Sequence, residues 1–170
     1  MPTPTPARPP RSLLTPRALG ALIALGFLAA CSAEGDQPLL DAAENAARER
    51  DTDNAVLTLA TVYGDRWEDY AALCPEAPRD LVARALGVEE DDLPELRQDE
   101  NALLRIRGSE VKAEVHPAEA FLLCSGQDAP AYRLTEATVS VKDNRELSPQ
   151  NSDWWLTATG TEPLVPRSSA

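Results

Sequence analysis

The chain has 170 residues, enough for one ordinary domain with a buried core once any leader is removed. It carries 28 acidic residues against 16 basic ones, a formal net charge of −12 and a pI near 4.5. Binding to a phosphate backbone wants a basic face, so this balance sets nucleic acid aside as a partner.

The first element is a leader. Arg8, Arg11 and Arg17 precede the apolar run ALGALIALGFLAA at 18–30, and no acidic residue occurs before Glu34. A membrane-spanning helix needs about 20 apolar residues, so the run is too short to span. A basic flank, a short apolar core and a small-residue exit describe a secretory signal peptide over 1–30. The exit, Leu28-Ala29-Ala30-Cys31, resembles the lipobox of bacterial lipoproteins. The arginine- and alanine-rich composition is similar to that of actinobacterial ones. The resemblance implies cleavage between Ala30 and Cys31 and a diacylglyceryl group on the Cys31 sulfur, with the freed amine often acylated too. Each buried methylene contributes about 0.8 kcal/mol, and two or more chains hold firmly. The expected location is therefore the outer side of a cell membrane, with the mature chain tethered by lipid. That chain would have 13 basic against 28 acidic residues, a net of −15.

Residues 31–38 read as a polar tether. The alanine-rich segment 39–50 is helix-prone, with Leu39, Leu40, Ala43 and Ala47 on one face. Asp51-Thr52-Asp53-Asn54 offers turn and cap chemistry. Its D-x-D start does not make a calcium loop, because Val56 and Val62 occupy the positions that need glycine and a bidentate acid. Next, Val56, Leu59, Ala60, Tyr63, Trp67, Tyr70, Ala71 and Cys74 recur at helical spacing. This predicts two helices, 53–63 and 66–73, divided at Gly64-Asp65, with Cys74 closing the stripe on the inward face. Pro75 and Pro78 break the chain. A third helix is expected at 79–86, stopped by Gly87. Acidic loops follow, with a helical turn expected at 93–96.

Beyond Asn101 the period changes to two. Strands are expected at 102–107, 110–116, 119–125, 132–142 and 154–160, separated by signals such as Gly108-Ser109 and Asp143-Asn144. Helices followed by strands give an α+β class: a single domain over 39–160, its N-terminal helices packed on one face of a curved antiparallel meander. Residues 161–170 show no period and read as a flexible tail. With Cys31 taken by lipid, Cys74 and Cys124 remain as an even pair in an oxidising compartment, which fits a disulfide. Two unpaired buried thiols are the alternative. No C-x-x-C or histidine pair points to a metal, and no cofactor is expected.

The helix ending Tyr63-Gly64-Asp65, the next closing on Leu73-Cys74-Pro75, and the strand meander after them resemble the cystatin-like cone fold of the nuclear transport factor two superfamily. The resemblance spans about 53–160. It implies a curved sheet wrapped on helices, in a family that ranges from isomerases and cyclases to binding modules, so it does not fix function. Tyr63, Asp69 and Tyr70 are the candidates for an isomerase-type site, although both tyrosines also fit the core stripe. His116, the only histidine, precedes Pro117 and reads as a turn residue. Arg105 and Arg107 share a strand face and read either as partners of Glu110 and Glu114 or as receivers of an anionic ligand. Phe121 and Leu123 lie opposite Ala120, Leu122 and Cys124, and one tryptophan of the Trp154-Trp155 pair faces each way. This predicts a second apolar face, either an interaction surface of Phe121, Leu123 and Trp155 or one covered by sheet curvature or the 145–152 loop. The expected function is non-enzymatic binding of an envelope protein or small ligand. A small cone-fold enzyme and a transporter-associated solute-binding lipoprotein are the alternatives.

Overall fold

The computed structural model describes residues 37–50, 53–124, 129–144, 153–158 and 160–165, all within the unit Ala33–Ala170. The expected signal peptide, the cleavage site Ala30–Cys31, most of the tether and the end of the tail lie outside the described residues. In chain order the elements are α1 (Pro38–Arg50), β1 (Asn54–Thr58), α2 (Leu59–Tyr63), β2 (Asp69–Leu73) and α3 (Arg79–Leu86). A 3₁₀ turn (Glu90–Asp92) comes next, then β3 (Glu100–Arg107), β4 (Glu110–Pro117), β5 (Phe121–Leu122), β6 (Ala131–Leu134), β7 (Thr138–Asp143), β8 (Trp154–Ala158) and β9 (Thr161–Val165). The class is α+β.

The strands divide between two sheets where a single meander was expected. One runs β4-β3-β2-β6-β9, wholly antiparallel; the other runs β1-β7-β8-β5, with β5 and β8 parallel. The five-stranded sheet is covered on both faces. Ala71, Leu73, Ala102, Leu104 and Ile106 pack outward against Val82 and Ala83 of α3 and against Leu93. Tyr70, Ala72, Leu103, Tyr132 and Leu134 face the other way. There they meet Ala55 and Leu57 of β1, Val139 and Val141 of β7, Trp154 and Leu156 of β8, and Leu39 and Ala43 of α1.

That double coverage explains the main departure from expectation. Residues 53–63 hold a strand and a single short helix, and 69–73 is a strand rather than a helix. A strand buried on both faces is a continuous apolar run, which spacing alone does not separate from a buried helix. Tyr70-Ala71-Ala72-Leu73 is such a run, with all four residues buried. In β1 burial alternates: Ala55 and Leu57 are inside, while Val56 is 56% exposed.

Elsewhere local chemistry sets the boundaries. Gly87, left-handed at φ 72, closes α3 with its N–H on the Ala83 carbonyl, as a helix C-cap requires. Gly108, at φ 56, lets a two-residue turn join Arg107 to Glu110 across the β3–β4 hairpin. The helical turn expected at 93–96 sits slightly earlier, at Glu90–Asp92. The expected strand 132–142 is two strands, one in each sheet, and the expected tail begins with β9 on the edge of the five-stranded sheet.

Cys74, just beyond β2, is bonded to Cys124, just beyond β5, with Cα atoms 6.0 Å apart and 50 residues of separation. It joins a central strand of one sheet to the chain leaving the other. Closing a loop of that length stabilises by about 4 kcal/mol in the chain-entropy account. Urea unfolding with and without reductant should show the oxidised form more stable by about 2–4 kcal/mol; equal midpoints would remove the cross-link from the structure's support.

Candidate functional site

The inner face of the five-stranded sheet carries nearly all the buried polar chemistry of the described residues. Strand register places the groups in rows. Tyr70, Arg105 and Lys112 lie side by side across β2, β3 and β4; Ala72, Leu103 and Glu114 form the next row; Asn101 and His116 form a third. Alternation puts all of these side chains on one face. Asn101, Glu114 and His116 are each at most 3% exposed.

Glu114 is held by two donors. Its Oε1 accepts the Leu39 backbone N–H at 3.0 Å, and its Oε2 accepts the Tyr63 hydroxyl at 2.5 Å. Leu39 stands in the first turn of α1, where backbone N–H groups have no helical acceptor and a carboxylate is favoured. One buried carboxylate thus fastens both α1 and α2 to the sheet. His116 Nε2 lies 3.3 Å from Glu114 Oε1, but off the line that a hydrogen bond needs, so neither ring nitrogen has a hydrogen-bond partner among the described residues. The imidazole stacks on Phe121, ring centres 5.0 Å apart. His116 is therefore a fully buried strand residue, not a turn residue. Pro117 is tolerated because it ends an edge strand.

Arg107 pairs with Glu110 at 3.9 Å, one of the partners expected for it. Arg105 has no carboxylate within ion-pair distance among the described residues. Its guanidinium lies over the rings of Tyr63, at 4.5 Å, and Trp67, at 5.4 Å. The Tyr63 and Tyr70 rings sit 6.1 Å apart beside it. Tyr63 and Tyr70 are thus neighbours, whereas Asp69 points to the other face and approaches Arg133 at 4.0 Å.

The proposed interaction surface is largely interior. Phe121 and Leu123 are both 0% exposed. The alternation was real, but the faces are the reverse of those expected: 121 and 123 point into the core, while Ala120, Leu122 and Cys124 are half-buried on the other side. Asn101 fixes this segment, donating to the Phe121 carbonyl at 2.9 Å and accepting the Leu123 N–H at 3.2 Å. The Tyr132 hydroxyl donates to the Leu123 carbonyl. Trp155 remains on the outer face of the four-stranded sheet, half-buried beside Leu122.

A cleft of about 210 Å³ opens on the opposite side of the five-stranded sheet, lined by Leu73, Cys74, Arg79, Glu95 and Leu96 among others. Its cation is already engaged: Arg79 donates to the carbonyls of Glu90 and Leu93 and lies 3.6 Å from Glu95. Among the described residues no group of three or more His, Cys, Asp or Glu side chains could hold a metal ion, and no helix is long and apolar enough to cross a membrane.

Comparison with known proteins finds no matching family model, no matching curated protein and no matching solved structure.

All three tyrosines of the chain are pushed above their ordinary value of about 10. Burial is the main cause in each; the Glu114 carboxylate raises Tyr63 further, and Arg105 partly offsets the effect at Tyr70. The unfolded chain therefore ionises first. Their contribution to stability is full below about pH 10 and is lost as pH rises beyond it. In an alkaline titration, phenolate absorbance should stay flat until unfolding and then rise in one cooperative step; a phenol ionising while near-UV circular dichroism is still native would contradict this. Tyr63→Phe removes a hydrogen bond to a charged group and should cost about 1.5–3 kcal/mol in urea unfolding.

Proposed function

We propose that the protein is a lipid-anchored lipoprotein on the outer side of a cell membrane, and that its single α+β domain serves there as a non-enzymatic binding module. The observation that carries the reading is the lipobox ending at Cys31, six residues before the described chain begins. The Cys74–Cys124 bond supports it, since disulfides persist in oxidising compartments outside the cytoplasm. So does the fastening of α1 at its first turn, which gives a tether entering there a fixed point on the domain.

The arrangement of Glu114 favours binding over catalysis. A general base needs its oxygen within reach of a substrate proton. Both Glu114 oxygens are instead engaged by the chain's own donors, and the residue is 3% exposed. The enzyme reading draws on Tyr63, Asp69 and Tyr70; Tyr63 is occupied in holding Glu114, and Asp69 lies on the other face of the sheet.

Membrane fractionation tests the anchor. The wild-type chain should partition into detergent and take up an alkyne-tagged fatty acid. Cys31→Ser should appear in the soluble extracytoplasmic fraction and take up none. A wild-type chain that takes up no fatty acid, or a Cys31→Ser chain that still takes it up, would refute the lipid anchor.

A further inference from the structure

Arg105 stands out in the electrostatics of the domain. In a chain with this excess of acid, six arginines (Arg66, Arg79, Arg84, Arg97, Arg107 and Arg133) each lie within 4.0 Å of a carboxylate. Neither Arg105 nor the exposed Arg48 of α1 does, but Arg105 sits on the same strand as Arg107 and one row from Glu114. Its Nε is buried without a hydrogen-bond partner. So is the hydroxyl of Tyr70, the residue directly across β2–β3 from it, which is only 3% exposed. Side chains directly opposite in an antiparallel pair have Cβ atoms about 5 Å apart. Two adjacent buried donors therefore lack an acceptor, and each unsatisfied group costs about 1–3 kcal/mol. On the other flank Lys112, also directly opposite Arg105, is exposed and brings a second positive charge.

We propose that Arg105, with Tyr70 and Lys112 in the same row of the sheet, binds the oxyanion of a small carboxylate- or phosphate-bearing ligand. The two terminal guanidinium nitrogens offer parallel N–H groups in the end-on fork that such oxyanions take bidentately. The rings of Tyr63 and Trp67 hold its plane by cation–π contact, so little side-chain freedom is lost when the ligand arrives. The Tyr70 hydroxyl supplies a further donor from the buried side, and Lys112 supplies charge from the solvent side. This deepens the binding-module reading by giving it a ligand class, and it is tested by anion binding rather than by membrane attachment. Failure of either result leaves the other standing.

The test uses the full-length chain, exported with Cys31→Ser so that it is recovered without lipid. Inorganic phosphate and acetate are titrated separately against chloride at matched ionic strength, and backbone amide shifts are followed by NMR. Saturable shifts centred on Tyr70, Arg105 and Lys112 are expected, and the stronger of the two anions identifies the oxyanion. Arg105→Gln should weaken that binding tenfold or more, and Arg107→Gln, on the same strand face but paired with Glu110, should leave it unchanged. If Arg105→Gln fails to fold, Lys112→Gln at the exposed position should still weaken binding at least threefold. Shifts that rise linearly and match chloride would overturn the proposal, showing that the two donors are met by water alone. Equal affinity in the folded Arg105→Gln or Lys112→Gln variants would overturn it as well.

Discussion

The segment Phe121–Cys124 has to pass from one sheet to the other through the interior, and the fold depends on how that crossing is satisfied. Phe121 pairs with Trp154 in the four-stranded sheet, while Cys124 is bonded to the end of β2 in the five-stranded one. A buried backbone between sheets has no ladder of its own, and its polar groups must find partners. Asn101 and Tyr132 provide them, from β3 and β6, by binding the Phe121 carbonyl and both polar groups of Leu123. The amide side chain of Asn101 works as a substitute strand at the one place where no strand fits. With that crossing fixed, Phe121 and Leu123 fill the core between the sheets, and the rows of the inner face are held in register.

The same face organises the helices. Glu114 is the only carboxylate among the described residues that is nearly fully buried, and it connects three elements that are far apart in sequence: α1, α2 and β4. Breaking a buried charge network by removing one partner is much more destabilising than its net worth suggests, because the partners are left unpaired. The docking of α1 is therefore steep. With Glu114 in place the helix has a capped first turn and an apolar face from Leu39 and Ala43; without it, two donors are stranded beneath the helix. A polar group set inside an apolar interface in this way fixes one docking geometry among several that apolar contact alone would allow.

What could be read from sequence divides along a physical line. α1, α3 and the β3–β4 hairpin were legible because their signals are local: an alanine-rich face, Gly87 just past the last turn, Gly108-Ser109 between alternating runs. The Cys74–Cys124 pair was legible from the count of cysteines left once Cys31 is set aside as the expected lipidation site. β2 was not, because a sheet covered on both faces erases the alternation that marks a strand, and Tyr70 and Cys74 happen to fall on a helical period as well. The buried cluster was not legible either. Glu114 finds Tyr63 across 51 positions and Leu39 across 75, and nothing in the neighbourhood of either residue announces the pairing. The alternation at 119–125 was read correctly, but which face is inside depends on the second sheet, and the division of 132–142 between two sheets has no local marker.

Charge ties these parts together. With 28 acidic residues against 16 basic ones, most arginines of the described residues have a carboxylate within reach. The usual outcome is visible at the rim, where Arg66 and Arg107 share Glu110. At Arg105 the sequence supplies aromatic rings instead. Cation–π contact holds a guanidinium in place without neutralising it, whereas a salt bridge does both. Glu114, the nearest buried acid on that face, is withheld from Arg105 because it is committed to α1 and α2. The cluster thus keeps the Arg105 guanidinium oriented by aromatic rings, with no carboxylate within ion-pair distance among the described residues. Glu114 thus serves the structure, and Arg105 is left as the group that the proposed anion would engage.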